Sequence, residues 1–230
     1  MNSSQFNLRF GIWTAASSIL LALAYLATMV ATGASPSGFP PVEPYDVIIS
    51  VISLLSGVAI LMLFQVLHAC APTERKLFSS TALTFAALFA GLTSINRFTH
   101  LAIVRPGLYV GVTPGIEWFT PYGAYSIMTG LETLAWGFFL GLAFIFTVPV
   151  FRGGRVERVL SGMMLVNGIL CLLSALALPT QITWLTYVGA IAWGPGFIGI
   201  CSLLIVLFKR PTPVVPQGKL IEFSATVHIS

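Results

Sequence analysis

Two short stretches of a largely apolar chain carry side chains suited to binding or acid–base chemistry. The first holds Thr93, Asn96, Arg97 and His100; the second holds Tyr125, Thr129, Glu132 and Trp136. Residues three or four apart share one face of a helix. Thr93, Arg97 and His100 therefore form one polar stripe, and Tyr125, Thr129, Glu132 and Trp136 form a second. Both are embedded in sequence apolar enough to sit in a bilayer, where an ionisable group costs roughly 2.5–3.5 kcal/mol on insertion scales. Arg97 and Glu132 each need a partner or a water-filled cavity. The two stretches lie on consecutive segments, which makes them antiparallel neighbours. Counting residues inward at about 1.5 Å each leaves the two charges offset by only about 5 Å in depth. The sequence thus predicts that Arg97 and Glu132 meet, directly or through one water, with His100 and Asn96 completing their hydrogen bonds. An alternative use of the same residues pairs His100 with Glu132 as acid and base.

A third signal is Trp193-Gly-Pro-Gly196, in the middle of the last apolar run. Proline there removes a backbone donor and glycine loosens the turn, so a kink or break is expected. Non-helical backbone at membrane depth is tolerated only against protein or a cavity, and transporters place such breaks at binding sites. The candidate ligand-binding set is Arg97, Glu132, His100, Asn96, Tyr125, Thr129, Trp136 and Trp193.

The elements that position these residues follow from composition. Of 230 residues, 57% are hydrophobic and 8% charged. The charged share is about a third of that in soluble domains, and the mean hydropathy is +0.93. Such a chain cannot cover a globule with polar surface, which excludes a soluble enzyme, a nucleic-acid binder and a disordered scaffold. A spanning helix takes about 20 mostly apolar residues. Six stretches qualify, near 11–32, 47–69, 79–104, 122–150, 159–180 and 184–208. None alternates as barrel strands would. The fold class is all-α, a six-helix transmembrane bundle over 1–210 with a polar tail over 211–230.

Nine of the eleven basic residues fall on one side of this topology: Arg9, then Arg75 and Lys76, then Arg152, Arg155 and Arg158, then Lys209, Arg210 and Lys219. By the positive-inside rule both termini are cytoplasmic, in a multi-pass protein of the cell membrane. The first apolar run is also longer than a signal peptide's core, so it reads as a retained anchor. The opposite side has two longer loops rich in proline and aromatics, expected to be stiff and non-helical. In them Trp118, Phe119 and Tyr122, together with Trp184, fit an interfacial belt.

Other signals are weaker. Cys70, Cys171 and Cys201 show no metal-ligand spacing. Gly137 and Gly141 form a GxxxG pattern that serves a contact inside one chain or between two copies. No HExxH, GxSxG, nucleotide-binding glycine loop or paired acids for phosphoryl transfer occurs, and no cofactor can be read. Phe98-Thr-His-Leu101, a long aromatic loop and then Leu131-Glu132 together are loosely similar to the intramembrane His/Glu arrangement of sterol isomerases of the emopamil-binding type. The second acid such a site needs near His100 is replaced by Val104-Arg105-Pro106, so no residue is carried over.

Three readings stay open at this stage. The bundle binds or transports a small amphipathic or anionic ligand between the third, fourth and sixth helices. Alternatively it is a non-catalytic subunit of a larger membrane complex, with a membrane-protein partner or a second copy of itself. The third is an intramembrane enzyme using His100 and Glu132. In each case the lipid bilayer is the surrounding partner and no nucleic acid is involved.

Overall fold

Each long apolar run of the sequence becomes a helix. The computed structural model describes residues 3–210 except positions 113, 124 and 152. The tail over 211–230, with Lys219, and the loop residue Arg152 therefore lie outside the described residues. The six long helices are α1 (Ser3–Ala34), α2 (Tyr45–Cys70), α3 (Thr73–Tyr109), α4 (Ile127–Val150), α5 (Arg155–Thr180) and α6 (Trp184–Phe208). All six are long and apolar enough to cross a membrane, which defines a multi-pass membrane protein by length and composition. No strand occurs among the described residues.

The helix ends differ from the hydropathy reading where backbone chemistry overrides composition. α3 continues to Tyr109, although Pro106 breaks its pattern of amide donors. It can do so because His100–Val104 widens into a π-helical turn, with the Arg105 N–H bonded to the His100 carbonyl. Pro106 then falls in the first turn of the resumed helix Arg105–Tyr109, where a missing N–H costs little. The Arg105-Pro106-Gly107 stretch, expected as loop, is thus helical. In contrast α4 begins at Ile127, not near 122. Ser126 is extended and accepts the Met128 N–H at 3.1 Å on its hydroxyl, an N-cap that fixes the start.

Consecutive helices pack side by side, and α6 closes the ring against α1. Phe64 of α2, Phe144 of α4 and Phe197 of α6 fill the centre, with ring centroids 5.9 and 6.2 Å apart. The outward faces are apolar, as at Leu20, Ile95, Phe98 and Val166. At one end the basic residues tie helix termini together. Arg75 donates to the Val150 carbonyl at 3.3 Å, Lys76 donates to the last carbonyls of α2, and Arg210 pairs with Glu157 at 3.2 Å. Cations over exposed carbonyls at a helix C-terminus also complement its dipole.

Two further π-helical turns lie in α4 (Leu134–Phe139) and α6 (Ala192–Gly196), the latter absorbing Pro195. The expected kink of α6 is therefore a local widening. The two turns meet: the Trp193 indole N–H donates to the Trp136 carbonyl at 3.0 Å.

The GxxxG pattern is spent inside the chain. A Cβ on Gly141 would lie 3.0 Å from the Gly168 carbonyl oxygen of α5, one on Gly168 2.8 Å from that of Gly141, and one on Gly137 2.8 Å from Ala175 Cβ. The α4 and α5 backbones touch there, and only glycine permits it. Gly168→Val should accordingly lower the melting temperature in detergent by many degrees, since the clash is with backbone and overpacking of this kind costs at least about 1–3 kcal/mol. Gly91→Ala, where a Cβ meets open space, should leave it unchanged or raise it slightly. A thermal-shift comparison of the two variants checks the crossing.

Candidate functional site

The two polar stripes face each other across the α3–α4 contact. Arg97 Nη2 donates to Glu132 Oε1 at 2.5 Å, and Asn96 Nδ2 donates to Glu132 Oε2 at 2.8 Å and to the Met128 carbonyl at 3.1 Å. The Arg97 side chain is 3% exposed and that of Glu132 23%. The expected ion pair is thus direct, and its carboxylate is held by both oxygens. Charge-assisted hydrogen bonds of this kind are about twice as strong as neutral ones, and both charges need them in an apolar bundle.

One turn deeper the stripes stay in register. Phe89 packs edge-to-face on Trp136 at 4.9 Å, and Trp136 on Trp193 at 6.1 Å, so an aromatic chain runs from α3 through α4 to α6. Trp193 therefore reaches the polar stripes only through Trp136. Thr93 is fully buried, and Thr129 sits one helical turn from Glu132.

Tyr125 does not join. It is 81% exposed and lines a shallow depression with Glu117, Trp118, Gly123 and Ser126. Its four-residue spacing from Thr129 predicts a shared face only if the helix extends that far. The extended Ser126 cap ends the periodicity first.

Tyr122 takes the place expected of Tyr125. Its backbone is left-handed, φ 66°, a conformation that costs a non-glycine residue roughly 1–2 kcal/mol. The ring is thereby turned inward, 5.8 Å from Arg97 Cζ and edge-to-face with Phe39 at 5.1 Å. Burial raises the Tyr122 phenol above its ordinary pKa, so it stays a neutral hydroxyl. Tyr25 of α1 reaches the same cluster, within electrostatic range of Arg97, Glu132 and Tyr122. The sequence reading placed Tyr122 in the interfacial belt and did not single out Tyr25. A single phenol in the apolar run Leu20–Val30 is the only sequence signal for it.

His100 turns away from Glu132 toward α2. Its Nδ1 lies 2.8 Å from Ser50 Oγ, and its Nε2 lies 3.8 Å from Asp46 Oδ2. The Ser50 hydroxyl donates to the Asp46 carbonyl at 2.8 Å. Its one proton being so engaged, Nδ1 of His100 is the donor in the Ser50 contact. Asp46 also faces Arg105 Nε at 3.6 Å, and Arg105 pairs with Glu43, which accepts from Tyr109 as well. Hydrogen bonding from Tyr109, then the Arg105 charge, holds the Glu43 carboxyl below its usual range. Asp46 and Ser50, neither singled out in the sequence, are thus the partners of His100. The structure separates the His100 and Glu132 networks.

Around the Arg97–Glu132 pair, five buried polar atoms make no hydrogen bond: Thr93 Oγ1, Asn96 Oδ1, Arg97 Nε, Thr129 Oγ1 and Trp136 Nε1, whereas the Tyr122 hydroxyl is within reach of Arg97 and Tyr25. An unsatisfied buried group costs about 1–3 kcal/mol, and native interiors hold few of them. No group of His, Cys, Asp and Glu suited to a metal occurs among the described residues. The chain matches no family model, no curated protein and no solved structure.

Breaking one side of the pair leaves the other charge buried. Glu132→Gln should destabilise the protein by about 3–5 kcal/mol. Replacing both partners, Arg97→Met with Glu132→Met, should cost clearly less than the sum of the two single changes. Denaturation in detergent of the four proteins of this cycle measures the difference.

Proposed function

We propose that the protein binds a small amphipathic molecule at an intramembrane polar site walled by α3, α4 and α6, with Tyr25 of α1 and the Tyr122 turn completing the enclosure. One observation carries this reading: five unpartnered polar atoms gather around a charge pair that is itself satisfied. Packing alone gives no reason to bury so many donors and acceptors in one place. Hydroxyls and ring N–H groups facing apolar and aromatic walls suit a ligand with a polar head and an apolar body. The π-helical turns of α4 and α6 lie beside the same walls, and such turns are frequent at functional sites. Movement of the ligand across the membrane is the extension that Pro195 in α6 favours.

The same reading sets the protein in the cell membrane with both termini in the cytoplasm. The basic residues at one end of the bundle support that orientation.

The test is chemical. Protein purified in mild detergent, then denatured and extracted, should release a small molecule in near-stoichiometric amount by mass spectrometry. The folded Arg97→Met, Glu132→Met double variant should release far less. A folded, monodisperse wild-type protein that releases nothing beyond detergent and bulk lipid would falsify the proposal. A fluorescent protein that matures only in the cytoplasm, fused to the C-terminus, should be bright. A dark fusion that is inserted and full-length would reverse the orientation.

A further inference from the structure

We infer that the ligand of this site carries an uncharged, flat head bearing carbonyl oxygens, a quinone-type head on an apolar tail. This rests on the binding reading above and narrows it from amphipathic molecules in general to one chemical class.

Charge excludes the anionic alternative first. Arg97 and Glu132 cancel, and the carboxylate is held on both oxygens. An anion at the free Arg97 Nε would sit beside the Glu132 carboxylate, and one that displaced Glu132 would leave that carboxylate with Asn96 alone. A cation would have to displace Arg97. A neutral head disturbs neither charge.

The free hydrogen-bonding atoms then decide polarity. Arg97 Nε and Trp136 Nε1 can only donate, and the hydroxyls of Thr93 and Thr129 can donate or accept. Asn96 Oδ1 is the one pure acceptor in the set. A head rich in acceptors and poor in donors complements this inventory. Carbonyl oxygens on a ring meet the two donor-only atoms and the hydroxyls together, whereas a sugar or polyol brings many donors against one acceptor-only atom.

Shape agrees with polarity. Rings surround these atoms: Phe89, Trp136 and Trp193 form one edge-to-face chain, and Tyr122 lies over Arg97. Aromatic walls favour a flat conjugated group over a bulky saturated one.

The experiment uses the whole protein in nanodiscs of zwitterionic lipid, titrated calorimetrically with a decyl-substituted benzoquinone against empty nanodiscs as blank. A fatty-acid anion of matched length and the matching fatty alcohol are the comparison ligands. The expected result is saturable quinone binding near one per protein, at least tenfold tighter than either comparison ligand. Trp136→Phe, which keeps the ring and removes its N–H, should weaken the quinone about tenfold, the effect of one lost hydrogen bond. Thr93→Val is the second variant should the first fail to fold, and lipid-facing Ile95→Val should change nothing. Tighter binding of the anion or the alcohol would overturn the carbonyl class and leave the binding reading standing. No saturable quinone binding, or an unchanged affinity in both folded site variants, would also sink the inference. If extraction of the purified protein yields no small molecule at all, the binding reading falls with it.

Discussion

The cost of removing Arg97 and Glu132 from water organises the α3–α4 half of this molecule. Neither charge can face lipid, so α3 and α4 must pack in the register that joins them. That register sets which residues lie above and below. Asn96 meets the free carboxylate oxygen, Phe89 meets Trp136 a turn deeper, and Tyr122 closes over the guanidinium. The strained backbone of Tyr122 is tolerated because ring packing on Phe39 and Arg97 offsets it. The pair is satisfied within the chain and neutral overall, and it fixes the position of the polar groups around it.

Departures from regular helix cluster near that anchor. Three helices widen into π-turns, at His100–Val104, Leu134–Phe139 and Ala192–Gly196. Each lies in the half of the bundle away from the basic end. A widened turn leaves a carbonyl that needs a new donor, and Trp193 supplies one to Trp136. In lipid such irregular backbone survives only where protein covers it, and here neighbouring helices of the bundle cover it. The glycine-mediated crossing of α4 on α5 begins within one of these turns, at Gly137 against Ala175, and continues to Gly141 against Gly168.

A second network ties the mouth of the bundle. Glu43 and Asp46 come from the first long loop and the start of α2, Arg105 and Tyr109 from the last turns of α3, and His100 from the π-turn between. Extending α3 past Pro106 is what brings Arg105 and Tyr109 within reach of Glu43. The loop is therefore clamped to the helix beside the site, and its Phe39 supports the Tyr122 ring.

The sequence by itself determined the class, the number of spans and the Arg97–Glu132 pair. Those follow from one-dimensional quantities: length of apolar runs, three- and four-residue spacing, and the expense of charge in hydrocarbon. It also marked Asn96, Thr129, Trp136 and Trp193 as polar or breaking features of the right segments. What it could not determine depends on where periodicity stops and on which distant segments return. Tyr125 follows the helical spacing, yet Ser126 caps α4 and sends Tyr125 outward, while a left-handed turn brings Tyr122 in. His100 shares a stripe with Arg97, yet the contact with α2 gives it Ser50 and Asp46 as partners, apart from Glu132. Tyr25 reaches the cluster only because α6 closes the ring and sets α1 across the interior. Spacing along one helix is local, whereas the partner of a side chain is chosen by the packing of helices far apart in the chain, and that choice exists only in the tertiary structure.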